Sequence, residues 1–265
     1  MTVRNAFDAS AWAGPWPFGD GGDESLGSVI GLLREAGVQG AVFSPLRALL
    51  APEPTAANLD LCREIAASAI EDFDVRFLPV VDPSLPHWRD QIASCRGAGD
   101  VPVAGIKLIP NYHTYLLADS FVQEVAAFAV ERGLPLCIQV RMLDERAHHP
   151  RLLVPGVPVT EIVALAAAHP SLSILACGLY NAELAAIASA ANVSVELSSV
   201  ESGDTLPNVL TVLPPDRVLL GTHAPIYYPA PALAKLRGDG IGEDALAAIA
   251  GGNARALFGN AGARS

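Results

Sequence analysis

The chain has 265 residues, a formal net charge of −11 and a sequence pI near 4.9. Hydrophobic residues make up 51% and charged residues 17%, which excludes a disordered chain and suits one large core. No basic block interrupts the acidic balance, so neither nucleic acid nor an anionic membrane is expected as a partner.

Mean hydropathy is +0.35, yet charges, Pro or Gly break every apolar run before it reaches membrane-spanning length. The opening MTVRNAFDAS has no apolar h-region, so no signal peptide is read. Cys62, Cys95, Cys137 and Cys177 are widely spaced, without a CxxC. Reduced thiols in a cytoplasmic protein are expected from that pattern.

Short apolar runs alternate with longer amphipathic ones. Strands are predicted at AFDASAW from Ala6, GAVFSP from Gly40, FLPVVD from Phe77 and VAGIKLIP from Val103. Four more follow at PLCIQV from Pro135, SILACG from Ser173, VSVELSS from Val193 and VLLGTHA from Val218. These runs do not alternate polar and apolar residues, which fits strands of a parallel sheet buried on both faces. Helices are predicted between them. DESLGSVIGLLREAG runs from Asp23, and TAANLDLCREIAASAI starts at Thr55 as N-cap. SFVQEVAAFAVERG has Ser120 as N-cap and stops at Gly133, VTEIVALAAAHP is capped by Thr160, and EDALAAIAGGNARALFG closes the chain. Eight strands alternating with helices predict an α/β fold, a (β/α)8 barrel, as a single domain over residues 1–265. The high apolar content is compatible with a homo-oligomer.

In such a barrel the chemistry sits where strands run into their following loops. The first strand then offers Asp8, Ser10, Trp12 and Trp16, and the fourth Lys107, Asn111, Tyr112 and His113. The fifth offers Gln139, Arg141, Asp144, Glu145, Arg146, His148 and His149. Cys177, Tyr180 and Asn181 follow from the sixth, Glu196 from the seventh and His223 from the eighth.

Several of these segments resemble one family. GIKLIPNYHTYLLAD, ERGLPLCIQV, HPSLSILACG, DRVLLGTHAP and GGNARALFG are similar, in order, to stretches of the amidohydrolase-related metal-dependent hydrolases and decarboxylases, the amidohydrolase 2 type. The resemblance implies a (β/α)8 barrel, in agreement with the strand count. It also implies a metal site with a His-x-His pair on the first strand, single His residues on the fifth and sixth, and an Asp on the eighth. Those positions hold Ser10 and Trp12, Gln139, Cys177 and His223 here. Trp cannot ligate, and Ser and Gln are poor zinc ligands. The expectation is therefore no cofactor, with zinc or another divalent metal kept open only by an unusual set drawn from His223, Cys177 or His113 with Asp8. WPF at Trp16, DERAHHP at Asp144 and GTHAP at Gly221 resemble a branch of the family with degenerate metal ligands.

Roles follow from residue chemistry. His223 replaces the family's acid–base Asp and is expected to be a general base, because imidazole accepts a proton near neutral pH. His113, Asp144 and His149 join it as catalytic candidates, with Asp144 orienting a His. Arg141 and Arg146 suit a carboxylate, Lys107 an anion or carbonyl, and Tyr112, Gln139 and Trp16 complete the substrate-binding set. Cys177 reads as a small hydrophobe rather than a nucleophile. The expected function is hydrolysis of a small carboxylate or lactone-like substrate without the usual metal, decarboxylation being the second reaction. Two alternatives stay open: an inactive barrel that binds a small acid, and a metal-dependent enzyme with non-standard ligands.

Overall fold

The computed structural model describes residues 5–18, 22–68, 70–97, 101–237 and 240–259, with the backbone alone for 94–97. Eight strands run in chain order: β1 Ala6–Ala13, β2 Val38–Pro45, β3 Asp74–Phe77, β4 Ile106–Leu108, β5 Leu136–Gln139, β6 Ile174–Cys177, β7 Val193–Glu196 and β8 Val218–Leu219. All their pairings are parallel. The order β1-β2-β3 is joined to β4-β5-β6-β7-β8 by bridges Phe77↔Val103 and Val80↔Lys107. Closure comes from Ala9 N–H donating to Leu220 O at 2.9 Å and Trp12 N–H to Ala224 O at 2.8 Å. A barrel results, with no open sheet edge among the described residues.

The apolar strand runs are explained by their two buried faces. Ile106, Leu136, Ile138, Ala176, Val193 and Val195 belong to one continuous cluster with helix residues such as Leu33, Val125 and Ile162. Phe7, Ala9, Val42, Leu78, Cys137, Leu175, Cys177 and Leu219 form a second, inner cluster, which Ala254 and Phe258 complete. Cys62, Cys137 and Cys177 are buried.

Between and after the strands lie α1 Leu26–Glu35, α2 Thr55–Ala67, α3 Trp88–Gly97, the single turn α4 Pro110–His113, α5 Ser120–Arg132 and α6 Val159–Ala168. Shorter helices follow: α7 Leu184–Ile187, α8 Thr205–Leu210, α9 Pro229–Ala234, α10 Glu243–Ala247 and α11 Asn253–Phe258. Three expected caps shift. Thr55 and Ser120 are first helical residues, preceded by Pro54 and Asp119, and Pro158 stands at the cap expected of Thr160. β3 covers Asp74–Phe77 and shares only Phe77 with the expected run FLPVVD, in which Pro79 has no N–H to continue a ladder. Helix α3 has no counterpart in the sequence reading. The expected closing helix is interrupted by a π-turn over Ala248–Gly252, which leaves the Ile249 carbonyl to accept Leu220 N–H at 2.9 Å. A Cβ on Gly251 would stand 2.4 Å from Asn5 O, so only glycine lets this helix approach β1 so closely.

Candidate functional site

The mouth of the barrel is split. On the β1–β4 side it is filled: Trp12 and Trp16 pack with Leu46, Leu49, Val80, Ile109 and Met142, drawn from the ends of β1 to β5. Trp12 is fully buried. Its indole N–H donates to His223 Nδ1 at 3.2 Å, and Lys107 Nζ lies 4.9 Å from its ring centre. On the β5–β8 side a cavity of ≈ 840 Å³ opens. Asp144, Glu145 and Arg146 line it from the loop after β5, Tyr180 and Asn181 from that after β6, and Ser198, Ser199 and Glu201 from that after β7. Thr222, Ile226, Tyr227, Tyr228 and Lys235 complete it after β8.

Two hydroxyls on the cavity wall each donate to a buried carboxylate. Ser198 Oγ donates to Glu196 Oε1 at 2.8 Å, and Thr222 Oγ1 donates to Asp8 Oδ2. Asp8 also accepts from the N–H groups of Ser10 (3.0 Å) and Thr222 (2.9 Å). Glu196 accepts from Gly178 N–H and Ser198 N–H, both at 2.6 Å. Burial pushes the Asp8 carboxyl up to about 6 against these hydrogen bonds. Gly221 must be glycine here, since a Cβ would stand 2.1 Å from Glu196 Oε2 and 2.6 Å from Ser10 Oγ.

His223 is placed differently from the base read in the sequence. Its Nδ1 is taken by Trp12, and its Nε2–H donates to Met142 O at 2.8 Å. Burial, then the Lys107 charge, holds its pKa down at about 3. The ring is a neutral tautomer with neither nitrogen free, held on a backbone with φ +60°. His223 is also not among the residues lining the cavity.

The other expected residues divide. Asp144 and Arg146 reach the cavity, paired to each other: Arg146 Nε donates to Oδ1 at 2.8 Å and Nη2 to Oδ2 at 2.7 Å. This pair holds the Asp144 pKa down at about 2. Arg141 does not reach it. Its guanidinium donates to Glu183 Oε2 (2.7 Å) and Oε1 (2.6 Å) and to Gly178 O (2.6 Å), and stacks 3.8 Å over Tyr180. Gln139 donates to Arg141 O at 2.7 Å. His113 Nε2–H donates to Ala48 O at 3.0 Å, tying the loops after β4 and β2 together. Tyr112 and His149 line a separate cavity of ≈ 300 Å³ with Phe18 and Leu152. Sequence reasoning missed Lys235, Tyr227, Tyr228, Ser198, Ser199 and Thr222 as cavity residues. The pair Ser198–Ser199 directly after an apolar strand was the available signal for two of them.

The amidohydrolase profile matches residues 29–259. The chain belongs to the amidohydrolase family. No curated protein matches its sequence significantly. Solved structures share its fold at low identity. 5-Carboxyvanillate decarboxylase from Sphingomonas paucimobilis is 18% identical with a TM-score of 0.73, over 97% of this chain and 99% of that one. 2,6-Dihydroxybenzoate decarboxylase from Rhizobium is 16% identical with a TM-score of 0.70, over the same shares. The 5-carboxyvanillate decarboxylase from Novosphingobium aromaticivorans, complexed with manganese and 4-hydroxy-3-methoxy-5-nitrobenzoic acid, is 15% identical with a TM-score of 0.72, over 97% of each chain.

The family's divalent ion does not fit the residues this amidohydrolase-family chain presents. Trp12 has no ligating atom, and both nitrogens of His223 are bonded. Burial pushes the Cys177 thiol up to about 11. Ser10 Oγ and Gln139 Oε1 are buried without hydrogen-bond partners, but both are neutral, weak ligands. Among the described residues, no three His, Cys, Asp or Glu side chains converge. No helix among them is long and apolar enough to cross a membrane.

Proposed function

We propose that this amidohydrolase-family chain hydrolyses a small carboxylate or lactone-like substrate in the β5–β8 cavity, without a divalent ion. The observation that carries this reading is the cavity wall. Two hydroxyls, Thr222 and Ser198, face a concave space at the mouth of the strands, each already bonded to a buried carboxylate. Proton acceptance falls to Asp8 through Thr222 and to Glu196 through Ser198, rather than to His223. A lactone suits such a site, because an activated ester needs less electrophilic help than an amide. Decarboxylation is the second reaction, since related folds are those of aromatic-acid decarboxylases.

The Trp12–Trp16 plug favours another reading, a barrel that binds a small acid and does not turn it over. One experiment separates the three. Tag-free protein is assayed for metal content, then for hydrolysis of a lactone panel and decarboxylation of 2,6-dihydroxybenzoate, with and without chelator. Chelator-insensitive turnover supports the proposal. Turnover restored only by manganese or zinc overturns its metal-free part, and ligand binding without turnover leaves the binding protein.

A further inference from the structure

Lys235 is the least expected member of the cavity. It follows α9, outside every segment that the family resemblance quotes. Its Nζ donates to Leu197 O at 2.8 Å and Ser198 O at 2.7 Å, the two carbonyls that follow β7. An ammonium has three donors, so one N–H remains. Among the described residues, no carboxylate lies at ion-pair distance from it. Glu201 and Glu196 act on it only at longer range, and burial lowers its pKa more than they raise it.

The other cations of the mouth are committed. Arg141 is locked on Glu183, Arg146 on Asp144, and Lys107 lies over Trp12 away from the cavity lining. A partly buried cation with no carboxylate at ion-pair distance among the described residues, lining a concave site, is unfinished electrostatically. Its missing partner is an anion. Tyr180 and Tyr227 also line this cavity, and their rings suit a planar ligand. The rest of the rim limits the charge. Once Asp144 and Arg146 have cancelled each other, Glu145 and Glu201 remain against Lys235 alone.

We infer that Lys235 is the carboxylate anchor of the cavity and that the site takes an aromatic monocarboxylate in preference to a dicarboxylate. A second carboxylate on the ring would face Glu145 or Glu201 without a cation of its own. The inference rests on the proposed function for the location of the ligand, and adds the residue and the substrate class.

The test is calorimetric titration of the full chain with 2,6-dihydroxybenzoate, 5-carboxyvanillate and neutral benzamide, for wild type, Lys235→Met and Lys235→Arg. Loss of a charged hydrogen bond predicts roughly tenfold to a hundredfold weaker binding of 2,6-dihydroxybenzoate by Lys235→Met. Lys235→Arg should restore most of the affinity, and 5-carboxyvanillate should bind wild type more weakly than the monocarboxylate. Matched melting temperatures of the three proteins keep a folding defect from imitating the result. Equal binding of acid and amide, or an unaltered Kd in Lys235→Met, overturns the anchor while leaving the cavity as the site. Failure of wild type to bind any of the three probes overturns the anchor together with the reading of the cavity.

Discussion

Trp12 shows how one side chain redirects a site. It stands where the family resemblance expects a ligand, and it makes a neutral hydrogen-bond acceptor of the residue expected to be the base. Asp8 and His223 then carry opposite pH signatures. Asp8 is raised from 3.8 to about 6, so its protonated form suits the fold. That stability is full below pH 3.8 and lost as pH rises through 6. The shift corresponds to about 3 kcal/mol. His223 is lowered from 6.5 to about 3, so its contribution is full above pH 6.5 and lost as pH falls toward 3. Between pH 4 and 6 the two oppose each other. Asp8→Asn removes the first term, so the urea midpoint of the variant should climb more steeply with pH in that window than that of wild type. Parallel slopes would refute the raised Asp8. Sequence reading found Asp144 and Arg146 as cavity residues because they sit in a charged loop at a strand end. It missed Lys235 because its approach to β7 is made by tertiary packing, which no spacing in PAPALAKLR encodes.

At the scale of elements, the strands were the legible part. Apolar runs bounded by Gly and Pro locate all eight to within a few residues, since burial on both faces dictates their composition. Helix α3 was hidden because WRDQIASCRG mixes charges and small residues with only two large apolar anchors, Trp88 and Ile92. The Arg141–Glu183 pair ties two neighbouring loops together. It fastens the strand end after β5 to the turn Asn181–Glu183 after β6, with Arg141 only 4% exposed. Arg141→Met removes both guanidinium donors from Glu183, which keeps the Tyr180 N–H at 2.7 Å, and the guanidinium donor from the Gly178 carbonyl. A loss of about 3 kcal/mol is expected, read as a lower urea midpoint, together with weaker binding in the adjoining cavity. A variant as stable as wild type would show that the pair contributes nothing net, as some buried ion pairs do.

For the molecule as a whole, the barrel was legible and the division of its mouth was not. The strand count and the family motifs both point to closure, and the parallel ladder closes through Ala9–Leu220. That the β1–β4 side is sealed and the β5–β8 side left open depends on how Trp12 and Trp16 pack with Val80 and Met142, residues far apart in sequence. The filled half implies a fold that stands without a metal. Thermal unfolding should give the same Tm with and without chelator, and added manganese should not raise it. A chelator-induced drop would reveal an ion bound to native protein.

The π-turn at Ala248–Gly252 has a consequence for how this chain tolerates change. It amounts to one surplus residue in an otherwise regular helix. Were the same residues wound as an unbroken α-helix, everything downstream would be rotated by about 100°. Phe258 would swing out from the inner cluster, and Asn253 would leave the carbonyls of Pro215 and Val218 that it now caps at 2.8 Å. The irregularity thus acts as a phase marker. It sets the last helix so that its apolar side meets the barrel, and a more regular helix would make a worse-fitting molecule.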